Sequence, residues 1–363
     1  MGFMIDDAAS GSARLEMSMP LHIRLGSRGS ALALWQTEHV AACLRASYPD
    51  LTVETVVFRT RGDRFQDRPL PSIGGKGLFT LELEESLRAG GIDGAVHSLK
   101  DLPVADPPGL ALGAVPVRGD VTDALVVRDQ PEEIAKPGES DCSGAPVARR
   151  NLVVLPQGAA VGTGSRRRAA QLMAKRPDLR IVGIRGNVDT RVRKALDPAG
   201  PYDAVALATA GLQRLGLDTL ISMTLPYEVM LPAPGQGALA VQCRRDAKWM
   251  ALFGAIDDLS TRAAVTAERA FLAGLGGGCR APVAALGEGT GTGGATAGET
   301  RENLLLRGRV STLDGTRQID AQLTGTSGDA ELLGRRLAQL VLDEGAQEII
   351  DQAAELTEPN RQP

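Results

Sequence analysis

The stretch Val161-Gly162-Thr163-Gly164-Ser165-Arg166-Arg167-Arg168 runs from a short apolar segment, through small residues, into a helix-forming run. A strand whose glycine turn opens a helix is the building unit of parallel α/β architecture. The layout recurs at Arg185-Gly186-Asn187-Val188-Asp189-Thr190-Arg191, after an apolar run at 181–184, and at Gly26-Ser27-Arg28-Gly29-Ser30, after 22–25. Further short strands are predicted at 53–58, 94–97, 124–127, 160–162 and 204–208. Helices are predicted at 30–48 (with Ser30 as N-cap), 79–89, 165–175 and 189–196. The alternation predicts two mainly parallel sheets. Beyond about residue 260 it gives way to a helix at 261–275, strands at 283–286, 304–310 and 318–323, and helices at 329–344 and 347–356. That order predicts a small α+β C-terminal domain. Segments 139–151 and 287–303 read as polar inserts, the second as a mobile hairpin loop.

Composition bounds the function. The 363 residues are 43% apolar and 23% charged, which fits a folded globular chain and not a disordered one. The formal charge of −4 argues against a general nucleic-acid binder. No apolar run reaches the ~18–20 residues of a membrane span. Regular patterning begins at Leu21, so 1–20 read as a disordered extension without signal-peptide character. Met17 and Met19 are alternative starts. The four cysteines include no CxxC pair, and His22, His39 and His97 are not at metal-ligand spacings. A reducing cytoplasm and no structural metal are expected.

The modest net charge hides a local excess. Residues 161–195 carry ten basic and two acidic side chains, whereas 320–363 carry nine acids and three bases. Three arginines in a first helical turn oppose the helix dipole, and a bound anion relieves that cost. The plain alternative is an exposed arginine-rich helix start. Paired glycine-turn sites at strand ends favour a polyanionic ligand in the crevice, and guanidinium forks suit carboxylates and phosphates alike. Gly74-Gly75-Lys76-Gly77 adds a lysine in a flexible loop. Asp101, in His97-Ser98-Leu99-Lys100-Asp101, reads either as a functional carboxylate or as an ordinary loop acid. Cys43 shares helical spacing with Leu32, Trp35 and His39 and is read as core. Cys243, alternating with Leu239 and Val241, is read as buried, and Cys142 as an exposed bystander. Cys279 follows three glycines and precedes Arg280, which favours an accessible thiolate; a structural role is the alternative.

Taken in order, Ser27 to Gln36 (SRGSALALWQ), Gly74 to Phe79 (GGKGLF), Val96 to Asp101 (VHSLKD), Arg185 to Val188 (RGNV), Pro234 to Gly237 (PGQG) and Gly277-Gly278-Cys279 resemble the porphobilinogen deaminase (hydroxymethylbilane synthase) family. The match runs from about Leu21 to Glu348. It implies two periplasmic-binding-protein-like domains, 21–116 with 238–255 and 117–237, and a third at 260–363. It implies a dipyrromethane cofactor joined by a thioether to Cys279, on which four porphobilinogen molecules are condensed head to tail, with loss of ammonia and final hydrolysis to hydroxymethylbilane.

The resemblance also implies roles. Asp101 is the catalytic aspartate. Lys100, Thr163, Ser165, Arg167, Arg168 and Arg191 contact the cofactor. Arg28, Ser30, Arg185 and Arg214 contact substrate, and Lys76 and Phe79 belong to a loop over the cleft. A cytoplasmic monomer with no nucleic-acid or membrane partner is expected. Ser72, where a basic residue is common, and Gly164, where serine is common, depart from the family pattern. Two other readings compete with this one. A non-catalytic anion-binding module explains the basic crevice but not Cys279. A thiol enzyme lacks an evident histidine base.

Overall fold

The computed structural model describes residues 22–59, 80–128, 152, 155–276, 282–292 and 302–356. Strand β1 (His22–Arg28) leads into helix α1 (Ala31–Ser47), β2 (Thr52–Phe58), α2 (Leu81–Arg88), β3 (Gly94–Ser98) and β4 (Leu110–Ala114). The chain then crosses to a second sheet with β5 (Asp123–Val127), β6 (Ala160–Gly162), α3 (Arg166–Lys175), β7 (Arg180–Val182), α4 (Val188–Leu196), β8 (Ala204–Ala208), α5 (Thr209–Arg214) and β9 (Met223–Leu225). It returns to the first sheet with β10 (Leu239–Arg244) and α6 (Ala247–Gly254). The sheet orders are β2-β1-β3-β10-β4 and β7-β6-β8-β5-β9. In each, the penultimate strand, β10 or β5, runs antiparallel to both neighbours, and the other four share one direction.

The apolar runs explain the layering. Every residue of β5 is buried, as are the first four of β8, because helices cover both faces of the sheet. Ile23, Leu25, Val40, Leu44, Val241 and Phe253 centre the core of the first lobe. Leu125, Val161, Leu172, Ala206 and Met230 centre one core of the second.

Helix α1 corrects one reading. Ser30 caps it, its Oγ accepting the Ala33 N–H at 3.3 Å. The buried face is Ala33, Gln36, Thr37, Val40, Ala41 and Leu44. The Leu32–Trp35–His39–Cys43 stripe is not core: Trp35 and His39 are exposed and Cys43 is half-buried. Both stripes have helical spacing, and the sheet beneath selects the smaller side chains.

A third layer follows. Helix α7 (Leu259–Gly274) and the antiparallel strands β11 (Val283–Thr292), β12 (Glu302–Ser311) and β13 (Gln318–Thr326) pack with α8 (Ala330–Asp343) and α9 (Ala346–Glu355) around Phe271, Leu306 and Leu337. Of the loop expected at 287–303, residues 287–292 and 302–303 are strand, and 293–301 lie outside the described residues. Gly287 pairs with Leu306 and Gly289 with Leu304. Gly287 lies so close to α7 that a Cβ there would sit 2.9 Å from the Ala264 carbonyl oxygen. Glycine there reports close approach and not flexibility.

Two features join the layers. Glu268, fully buried on α7, receives Arg118 Nη1 and Nη2 at 2.7 and 2.9 Å, Gly235 N at 2.6 Å and Gly287 N at 2.8 Å. One carboxylate thereby ties both crossover segments to α7 and β11. At the β12–β13 turn, Gly315 (φ +73°) rests on α3, where a Cβ would press against Ala170 O and lie 2.7 Å from Ala174 N. Arg309 Nη1 donates to Gln171 Oε1 on the same helix at 2.9 Å.

Gly315→Ala is therefore expected to lower stability by at least ~1–3 kcal/mol, from left-handed strain and contact with α3 together. Urea denaturation followed by circular dichroism checks it. Arg118→Met, which strands the buried Glu268 carboxylate, is expected to cost about 3–5 kcal/mol in the same measurement.

Candidate active site

The α3 N-terminus is built by the run Val161–Arg168. β6 ends at Gly162, Thr163 Oγ1 accepts the Ser165 N–H at 3.1 Å, and Ser165 caps the helix, its Oγ accepting Arg168 N at 3.4 Å. The helix turns Arg167 and Arg168 inward, and both are buried. Their shared partner is Asp123, with no solvent exposure, at the start of β5. Arg167 Nη1 lies 2.7 Å from its Oδ2, and Arg168 Nε donates to its Oδ1 at 2.7 Å. Arg167 also donates to Leu231 O at 2.6 Å, and Arg168 to Ala206 O at 3.2 Å. Burial alone would raise the pKa of Asp123, but the two guanidiniums hold it well below the usual carboxylate range.

Lys100 and Asp101 stand opposite, in a single-turn 3-10 helix, Leu99–Asp101, at the end of β3. Asp101 is exposed. Lys100 Nζ donates to Gln236 Oε1 at 3.3 Å. Burial, then the Arg168 charge, push the Lys100 ammonium down to about 8 against the opposing pull of Asp101 and Asp123. On α4, Arg191 donates through Nε to Gly186 O at 2.7 Å. Burial and the charges of Arg168 and Arg185 lower its pKa, and Asp101 opposes them. Lys100, Asp101, Arg167, Arg168, Arg185 and Arg191 thus share one electrostatic neighbourhood at the ends of strands from two sheets. Its cations outnumber its carboxylates. Guanidiniums that depress one another suit a ligand bearing several carboxylates.

The remaining predicted residues are more dispersed. Arg28 ends β1 and acts on His97, whose pKa is lowered to about 4 by burial first and by Arg28 second. Ser30 is committed to the α1 cap, although its hydroxyl can still donate. Arg214 ends α5 and reaches the returning crossover, donating to Gly237 O at 2.7 Å, with its guanidinium 5.6 Å from the Trp35 ring centroid. Burial lowers its pKa to about 10. Trp35 in turn stacks on His39, with ring centroids 5.1 Å apart. Lys76, Phe79 and Cys279 lie outside the described residues.

Sequence reasoning missed Asp123 and Gln236. Asp123 opens an otherwise apolar strand, and its partners lie 44 and 45 positions away. Nothing local marks it. Asp123→Asn is expected to leave two buried guanidiniums uncompensated and to cost about 3–5 kcal/mol, read by chemical denaturation.

Comparison with known proteins meets this geometry from the other side. A family model described as "Porphobilinogen deaminase, dipyromethane cofactor binding domain" matches residues 23–251, and one described as "Porphobilinogen deaminase, C-terminal domain" matches residues 262–343. Porphobilinogen deaminases of Roseiflexus castenholzii and of Xanthomonas oryzae pv. oryzae (strain PXO99A) are each 46% identical over 329 residues, covering 90% of this chain and 98% of the relative. That of Stenotrophomonas maltophilia (strain K279a) is 45% identical over 330 residues, covering 91% and 99%. Among solved structures, the methionine-binding protein MetQ superposes with a TM-score of 0.39 at 15% identity, covering 65% of this chain and 90% of that chain. The family matches span both sheets of the cleft and the C-terminal layer, and relatives align along nearly their whole length: the chain belongs to the porphobilinogen deaminase family.

Proposed function

We propose that the cleft between the two five-stranded sheets condenses four porphobilinogen molecules head to tail and releases hydroxymethylbilane by hydrolysis, the whole reaction running on a dipyrromethane held as a thioether by Cys279. Each condensation forms one carbon–carbon bond, breaks the aminomethyl carbon–nitrogen bond and one pyrrole α-carbon–hydrogen bond, and releases one ammonia, whose third hydrogen balances the proton lost from the pyrrole. The observation that carries the reading is an exposed carboxylate, Asp101, set among cations contributed by both sheets. Three domains, 21–116 with 238–255, 117–237 and 260–363, would supply the two walls and the cysteine.

When bound, the dipyrromethane supplies a pyrrole carbon nucleophile from which the chain grows. The protein's own groups do the rest. Lys100, Arg167, Arg168 and Arg191 hold carboxylates of the cofactor, with Thr163 and Ser165 as neutral donors. Arg28, Ser30, Arg185 and Arg214 receive acetate and propionate groups of incoming substrate, and Lys76 and Phe79 act from the loop over the cleft. Asp101 accepts pyrrole N–H groups and stands against the positive charge left when ammonia departs. A fixed carboxylate aimed at developing charge is the largest contribution one side chain makes to such a step. Cytoplasmic location, a monomeric state and the lack of a nucleic-acid partner belong to the same proposal. The described cysteines, Cys43 and Cys243, are unpaired, and no helix among the described residues is long and apolar enough to cross a membrane.

Intact mass spectrometry is expected to show the purified chain heavier than its sequence by one dipyrromethane, and Cys279→Ser to lack the excess. Unmodified protein that releases ammonia from porphobilinogen at a full rate would overturn the assignment. Asp101→Asn is expected to keep the adduct while kcat falls roughly 10²–10³-fold. In the cofactor-free chain the Lys100 ammonium is present below about pH 8 and lost above it, so uptake of the dipyrromethane, read as adduct fraction by intact mass, should fall as pH rises through about 8. Lys100→Met should take it up poorly without that step.

A further inference from the structure

Gln236 lies on the returning crossover segment, within Pro234-Gly235-Gln236-Gly237, and is completely buried. Its Nε2 donates to Val121 O at 2.8 Å and to Thr122 O at 3.1 Å, both on the outgoing crossover. Both amide hydrogens are used, and a flipped amide would face oxygen to oxygen, so the orientation is determined. Its Oε1 therefore points the other way. There it accepts Lys100 Nζ at 3.3 Å from the first lobe and Arg167 Nη2 at 3.4 Å from the second.

The backbone allows little drift. Gln236 N donates to Ala233 O at 2.9 Å, and its carbonyl accepts Arg118 Nε at 2.8 Å. Glycines with positive φ flank it on both sides. A Cβ on Gly237 would lie 2.6 Å from Gly119 O, and one on Gly235 3.3 Å from Lys100 N. The Lys100 stem has four rotatable bonds and faces the Arg168 and Arg167 charges. Left to itself, the ammonium would swing away from them.

We propose that Gln236 is a positioning residue: its buried carbonyl oxygen holds the Lys100 ammonium and the Arg167 guanidinium in fixed relation across the cleft, so that carboxylate-receiving cations of both lobes stand assembled beside Asp101 before a ligand enters. The catalytic consequence rests on the function proposed above; the placement of Lys100 does not.

The test reads Lys100 directly in the full-length protein as purified. Competitive labelling with acetic anhydride across pH, with the Lys100 peptide quantified by mass spectrometry, gives the midpoint of its titration. Gln236→Met, similar in length but without an acceptor, is expected to lower that midpoint by about half a unit or more, and Gln236→Glu to raise it by a similar amount. A merely structural role would loosen the site, admit water and move both midpoints up together. That result, or unchanged midpoints, overturns the proposal. If Gln236→Met does not accumulate as folded protein, Gln236→Asn, whose oxygen is withdrawn by about one methylene, takes its place with the same expected direction. Wild-type protein that releases no ammonia from porphobilinogen would sink the functional reading, while the labelling would still decide the role of Gln236.

Discussion

A single carboxylate buried beneath two guanidiniums makes the cleft possible. Two like charges about 4 Å apart repel by about 4 kcal/mol near a protein surface, several times the net worth of a hydrogen bond. Arg167, Arg168, Arg191 and Lys100 feel one another across the site. Such a cluster would splay without an internal counterion. Asp123 sits at the back of the cluster, spends its two oxygens on Arg167 and Arg168, and leaves a positive excess at the front. The arrangement holds cations in place without neutralising them, which is what a site for a polycarboxylate chain requires.

Glu268 solves a related problem at the crossover. Four donors on one buried carboxylate bind the two connecting segments to α7 and β11. Gln236, one residue from the Gly235 amide that Glu268 receives, links the same segments to Lys100 and Arg167. Structural and functional polar groups are thus adjacent along one short stretch. Changes at the crossover should reach the cations before they reach the cores of either lobe.

The sequence carried the architecture in its periodicity. Strand, glycine turn and helix at 161–168 and 185–191 reappear as β6–α3 and β7–α4, with Ser165 and Asn187 at the caps. What stayed hidden involved distant partners. Asp123 and Gln236 become visible only when residues 44 to 136 positions apart meet. The buried stripe of α1 was mistaken because two stripes share one period, and the small residues facing the sheet won over Trp35 and His39. Gly287 and Gly289 resembled a loop because composition does not distinguish a glycine that bends from one that lets a strand approach a helix. The cations and Asp101 were legible because their spacing after strand ends is local.

Strand β10 has a consequence for how the chain is made. It inserts between β3 and β4, yet more than a hundred residues separate it from them, and the whole second sheet lies in between. During synthesis from the N-terminus, β3 waits with one edge unpaired, and β4, whose only strand partner is β10, waits without a ladder until residues 239–244 emerge. The second lobe can complete its own hydrogen-bond ladder first, since β5 to β9 are contiguous in the chain. The first lobe is then the later of the two to close, through contacts of long sequence separation that form slowly. Nascent chains stalled before β10 would carry a bare β3 edge and an unpaired β4 segment, the form most exposed to aggregation and most in need of a chaperone.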